Sequence, residues 1–218
     1  MGDIHITSFY GILGINTLPY LISIPFTLFV FTLIINAVNL IDGIDGLASA
    51  VGIIISVTLG LWFLGADIIS YSVLSFALAG SLIAFIRFNV FSKRNKIFLG
   101  DTGSLVIGMI VAVIAVRFLQ FDTVVKGPFH LQCAPAIITG ILIYPLYDTL
   151  GVFILRVSQG RSPFSADHQH IHHRLLKSGY THRRSTFIVA SFNIIVITLT
   201  LIFKNHGFYL LLLLQTAL

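Results

Sequence analysis

Long apolar runs separated by short polar segments make up almost the whole chain. Six runs, at roughly 18–38, 46–65, 68–88, 103–120, 131–155 and 186–203, reach the length of about 20 residues that a helix needs to cross a bilayer. A seventh, at 208–218, is apolar but about half as long. The connections at 66–67, 89–102, 121–130, 156–185 and 204–207 hold most of the polar residues, with no internal repeat, no low-complexity tract and no soluble domain. The pattern predicts one integral-membrane domain over residues 1–218. Its fold class is all-α, a polytopic transmembrane helical bundle with about six full spans and a partial C-terminal one. The first residues have no basic region ahead of an apolar core, so they do not read as a signal peptide.

Composition removes several classes. The chain is 56% hydrophobic and 10% charged, with a mean hydropathy of +0.98, which excludes a water-soluble globular domain. All eight acidic residues are Asp, so metalloproteases of the HExxH type and EF-hand calcium loops, which need Glu, are excluded. The single Cys133 forms neither an intrachain disulfide nor a thiolate metal cage. A net charge of +5 suits membrane-flanking loops rather than nucleic acid. Ten of the thirteen basic residues fall in two clusters, Arg87 to Lys96 and Arg156 to Arg184, separated by two spans and therefore on one side. The positive-inside rule makes that side cytoplasmic. Residues 36–45 then reach the same face, while the N-terminal residues, 66–67, 121–130 and 204–207 face out. Asp3, Asp67, Asp122, His5, His130 and His206 read as solvated loop residues on the outer side. Cys133 and Trp62 read as lipid-facing or packing residues, and Arg183-Arg184 as a topology anchor.

Three polar clusters converge on the basic side. In the first, Asn36, Asn39, Asp42 and Asp45 recur every third residue before Gly43 and Gly46 loosen the turn. Two carboxylates and two amides suit a divalent cation and its ligand's oxygens; the alternative is helix capping, with Asp45 leading the next helix. In the second, Phe98-Leu-Gly-Asp101-Thr-Gly-Ser104 opens a span directly. Its glycines and free N–H groups suit phosphate, and Asp101 suits Mg2+; the alternative is an Asp/Thr N-cap. In the third, Ser165 caps a short helix carrying His168 and His172 at i, i+4, with His170, His173 and Arg174 on neighbouring faces. Imidazole and guanidinium there fit phosphate or sugar oxygens, zinc, or a solvated basic loop. Asp148 is an acid inside a span, where such residues are functional or paired, and Pro145 is expected to kink that helix.

Taken together, residues 36–48, 97–105 and 145–175 resemble the polyprenyl-phosphate N-acetylhexosamine-1-phosphate transferases, in the family's order and over nearly the whole chain. The His170-Ile-His172-His173-Arg174 run resembles the UDP-N-acetylglucosamine branch, the UDP-GlcNAc:undecaprenyl-phosphate GlcNAc-1-phosphate transferases. The resemblance implies transfer of N-acetylhexosamine-1-phosphate from a UDP-sugar to undecaprenyl phosphate, releasing UMP and initiating cell-wall or lipopolysaccharide glycans. It implies catalytic roles for Asp42, Asp45, Asp101 and His170. Asp101 would hold Mg2+, with Mn2+ as a substitute, and Phe98 would stack on uracil. Asn36, Asn39, Asn89, His172, His173 and Arg174 would contact the substrate. It also implies the bacterial inner (cytoplasmic) membrane, a cytoplasmic active face, and the bilayer, the UDP-sugar and undecaprenyl phosphate as partners. Nucleic acid is not a partner, and a homodimer stays open.

One departure stands out. Members of that family carry an Asp-Asp-x-x-Asp motif on an earlier loop, and this chain contains no Asp-Asp pair. The expectation is that the sequence corresponds to the C-terminal part of a longer enzyme and that these 218 residues alone release little UMP. A catalytically inactive homologue and a polytopic transporter are the competing readings. A transporter calls for ionisable residues near the bilayer midplane, a place only Asp148 fits.

Overall fold

The computed structural model describes residues 4–131, 133–160, 162 and 170–217. Its helices are α1 (Tyr20–Leu40), α2 (Leu47–Gly65), α3 (Ile69–Asn89), α4 (Gly100–Asp122), α5 (Ala134–Ile141), α6 (Ile143–Ser158), α7 (Ile171–Lys177), α8 (His182–Ile202) and α9 (Phe208–Ala217). Helices α1, α2, α3, α4 and α8 are each long and apolar enough to cross a membrane. A helix satisfies its backbone internally, which hydrocarbon demands. The chain is a multi-pass membrane protein, and five of the expected spans stand where the apolar runs place them.

The expected single span over 131–155 is instead two helices, α5 and α6, bent by 80° at a break around Leu142. Pro145 accounts for it, though not as a kink within one helix. Its ring would clash with the Ile141 carbonyl and it has no N–H to offer that oxygen. A new helix therefore starts at Ile143, where Pro145 falls in the first turn and a missing N–H costs nothing. The partial C-terminal span is the ten-residue α9. It docks through Gln215, whose Nε2 donates to the Ala136 carbonyl at 2.8 Å and to Thr200 Oγ1 at 3.2 Å. Thr139 Oγ1 in turn donates to Gln215 Oε1 at 3.2 Å.

Helix α2 is central: Val51, Ile55, Leu59 and Phe63, one per turn, are fully buried against α3, α4 and α8. Helices α1 and α4 come together at Gly108, which faces the backbone of Ile35. Small residues let transmembrane backbones come together in this way. Leu21, Leu28, Phe29 and Phe187 point outward.

The loops sort to two ends. Residues 41–46, 90–99 and the α7 region meet at one end. The N-terminal segment packs on the other, where His5 O accepts from Gln120 Nε2 at 2.7 Å and Tyr10 OH donates to the Leu119 carbonyl. Asp67, His130 and His206 are exposed there, as expected. Asp122 is not. It is fully buried, accepts the Leu131 N–H at 2.8 Å and lies 3.7 Å from His130 Nδ1, because the chain after α4 folds back and needs a cap there. His5 is half-buried, and Asp3 lies outside the described residues. Trp62 and Cys133 are packing residues: Trp62 donates to the Phe129 carbonyl at 3.0 Å and sits edge-on to Phe118, and Cys133 is buried.

Candidate active site

The last turns of α1 carry Asn36 and Asn39 toward the end where the basic loops gather. Asn36 is exposed and donates to the Thr32 carbonyl one turn earlier at 2.8 Å. Asn39 Oδ1 accepts from the buried Ser104 hydroxyl on α4, which ties the two helices together beside the site. The chain then turns through 41–46, with Asp42 N–H on the Asn39 carbonyl at 3.2 Å and Gly46 in the left-handed region at φ +77°. Neither alternative of helix capping is realised. The residue before α2 is Gly46 and the residue before α4 is Leu99, and neither Asp45 nor Asp101 caps.

Gly100, at φ +67°, lets the chain enter α4 and sets Asp101 in its first turn, exposed. Asp42 lies within electrostatic reach of Asp101. Burial, and then the negative charge of Asp101, push the Asp42 carboxyl up to about 6. Two carboxylates that repel each other in this way fit a hard divalent cation, which needs only one or two protein carboxylates when phosphate supplies further oxygens. Among the described residues no three His, Cys, Asp or Glu side chains form a metal cage, and His168 of the zinc reading lies outside them.

Asp45 is engaged elsewhere. Its carboxylate pairs with Lys96 at 2.6 Å and lies 3.4 Å from His182, and its carbonyl accepts from Thr186 at 2.9 Å. It thereby ties 90–99 and the start of α8 to the first loop. Asn89 is buried and donates to the Ile97 carbonyl at 2.9 Å, holding the other end of that connection. Phe98 stands 74% exposed, with Lys96 Nζ 5.2 Å from its ring, an open aromatic face beside the acids. Arg183 is more than a topology anchor, since it donates to the Val90 carbonyl at 2.6 Å and stacks on Phe91.

The histidine segment comes in from the third side. His170 precedes α7 and its Nδ1 lies 2.8 Å from Asp148 Oδ2, while Ile171 N–H donates to Asp148 Oδ1 at 2.7 Å. His172 is fully buried, its ring stacked 5.5 Å from that of His170, and neither of its nitrogens has a hydrogen-bond partner among the described residues. Its Nε2 lies where a Cβ on Gly43 would come within 2.3 Å, so α7 sits directly on the Asp42 loop. His173 is half-buried, 4.3 Å from the His172 ring, and Arg174 is exposed. The proposed cap Ser165, with Asp167 and His168, lies outside the described residues.

Sequence reasoning missed Ser104, Lys96 and His182. Hydroxyls and cations at span ends are common, and only the pairing across loops distinguishes these three.

Burial lowers the His172 imidazole to about 4 against the attraction of Asp148. The unfolded chain takes up this proton near pH 6.5, well before the folded one does. Stability from this group is therefore intact above pH 6.5 and is lost as pH falls toward 4. Asp42 acts with the opposite sign, the folded state holding the extra proton between about 4 and 6. Replacing His172 isolates the first effect. The thermal-stability advantage of wild type over His172→Gln should shrink from pH 6.5 to pH 4, and a pH-independent difference would contradict this account.

The sequence profile of glycosyl transferase family 4 matches residues 1–119, more than half of the chain. The chain belongs to glycosyl transferase family 4. The family match takes in the two Asp clusters, Asn89 and Phe98. Similar proteins include the decaprenyl-phosphate N-acetylglucosaminephosphotransferase of Mycolicibacterium smegmatis, 34% identical over an alignment 191 residues long that covers 82% of this chain and 47% of the relative. The protein of the same name from Mycobacterium tuberculosis is also 34% identical. The undecaprenyl-phosphate alpha-N-acetylglucosaminyl 1-phosphate transferase of Escherichia coli K12 is 34% identical over 167 residues, 75% of this chain and 43% of the relative. The chain spans about half the length of the curated relatives it matches. A match over 82% of 218 residues necessarily includes Asp148 and His170 to Arg174, so the similarity extends past the family profile into the histidine segment.

Proposed function

We propose that this family 4 chain forms the nucleotide-sugar side of a polyprenyl-phosphate N-acetylhexosamine-1-phosphate transferase. The donor is UDP-N-acetylglucosamine, the acceptor undecaprenyl phosphate and the products UMP and undecaprenyl-diphosphate-GlcNAc, the first intermediate of an envelope glycan. The observation that carries the reading is the packing of the histidine segment on the Asp42 loop at Gly43, with the charge of Asp101 reaching Asp42 and the exposed Phe98 ring three residues before Asp101. Asp101, with Asp42, would hold Mg2+ or Mn2+, which supplies charge neutralisation at the donor diphosphate. The protein's own groups bind and orient: Phe98 offers a stacking face for uracil, His173 and Arg174 meet anionic oxygen, and Asn36 and Asn39 contact the sugar nucleotide from α1. Phosphoryl transfer is mostly positioning and charge neutralisation, which such a set provides. The basic loops at the same end support a cytoplasmic face by the positive-inside rule, and a bacterial inner membrane is where a soluble nucleotide sugar would meet a lipid phosphate.

The test is binding of radiolabelled UDP-GlcNAc to the purified protein in nanodiscs, with UMP release measured after adding undecaprenyl phosphate. Binding is expected with Mg2+ or Mn2+ and is expected to vanish with EDTA. Binding that ignores EDTA, or no binding at all, would overturn the reading.

A further inference from the structure

Helix α7 starts without a cap from its own sequence, since His170 occupies the N-cap position and bonds no backbone N–H of the helix. The cap comes from Asp148 on α6, whose Oδ1 accepts the Ile171 N–H at 2.7 Å. The same carboxylate uses Oδ2 on His170 Nδ1 at 2.8 Å, and its side chain is fully buried. Both oxygens of one buried acid thus engage two consecutive residues of the histidine segment, and His172 Nδ1 lies 4.0 Å from Oδ2. An ionised Asp148, accepting at both oxygens, gives Nδ1 the proton whether the ring is neutral or charged. His172 stacks on His170 and packs against Gly43, so the ring fixed by Asp148 is also fixed relative to the Asp42 loop.

We infer that Asp148 is a positioning residue: it holds His170 in the Nδ1–H form and anchors the start of α7, so that Nε2 is the nitrogen His170 brings to the substrate. The role at the substrate rests on the function proposed above, whereas the proton placement does not. Neutral His170 then offers an Nε2 lone pair, and the imidazolium offers an Nε2–H to phosphate oxygen.

Asp148→Asn separates this from a merely structural role. The amide keeps the shape and can still accept from Ile171 N–H, but its NH2 then faces Nδ1, so the proton must move to Nε2. Imidazole 15N spectra of the protein in nanodiscs at pH 8, with His170→Ala identifying the signal, should show Nδ1–H in wild type and Nε2–H in Asp148→Asn. The same tautomer in both would overturn the inference, with or without turnover. In the transfer assay Asp148→Asn should lower kcat by about 10–100-fold, as loss of an orienting partner does, with a smaller change in KM for UDP-GlcNAc. On a His170→Ala background it should cost nothing further. An equal loss on both backgrounds would reduce Asp148 to a fold-stabilising residue. The expected tautomers in wild type and Asp148→Asn, with no Mg2+-dependent UDP-GlcNAc binding by the wild type, would refute the proposed function and leave the placement standing.

Discussion

Gly108→Ala is expected to destabilise the protein by about 2–3 kcal/mol and to abolish Mg2+-dependent UDP-GlcNAc binding. An added Cβ would lie 2.9 Å from Ile35 Cα and 3.0 Å from its carbonyl oxygen. Those are backbone atoms, which have no rotamer to escape into, so α1 and α4 must separate. The contact is one turn from Ser104 on α4 and one turn from Asn39 on α1, the pair that bridges the two helices. It also supports both carboxylates of the proposed cation site, which the two helices carry at their ends. Gly52→Ala is the control. Its Cβ would press on Leu82 Cδ1 at 2.8 Å, the mobile end of a side chain, with Ile107 Cγ2 at an ordinary 3.6 Å, and the helix gains propensity by losing a glycine. Thermal unfolding in nanodiscs compares the two, and equal melting temperatures would refute the argument.

The second large effect is at Asp101. Asp101→Asn should leave the melting temperature near wild type, because the side chain is exposed and it is the backbone carbonyl that receives Ser104 Oγ, at 3.1 Å. Cation-dependent UDP-GlcNAc affinity should nonetheless fall by more than about 100-fold, since altering partners outside the ligand set already costs about 10–100-fold. The substitution removes one of the two causes that hold the Asp42 carboxyl high and leaves burial, the larger one. Isothermal titration with Mn2+ and UDP-GlcNAc measures the loss. Wild-type affinity in Asp101→Asn would remove this carboxylate from the cation site.

The spans were legible because hydrocarbon imposes one rule on sequence: about twenty apolar residues between polar ends. That rule places α1, α2, α3, α4 and α8 within a few residues of their observed limits. It places the 131–155 run but not its 80° bend, because hydropathy carries no information about direction and the break follows from the geometry of Pro145. The Asp42–Asp101 juxtaposition was legible as two motifs at span ends on one side. The partner of Asp148 was not, because a hydrogen bond between residues 22 apart has no periodic signature. Asp122 was misread for a related reason: an acid next to a loop looks solvated until the chain folds back over it.

Gln215 has a mechanical consequence for the bent fifth span. The side chains of α9 other than Gln215 are almost uniformly apolar, so lipid alone would let it slide or roll. The amide removes that freedom. A step of one residue along the helix swings Gln215 by about 100°. That would strand its donor and acceptor in hydrocarbon and leave Ala136 O, Thr139 and Thr200 without it. Gly140 offers no Cβ to block the amide, whose Nε2 lies 2.6 Å from where one would stand. One buried side chain thus works as an index pin, setting both the depth and the rotation of α9 against α5.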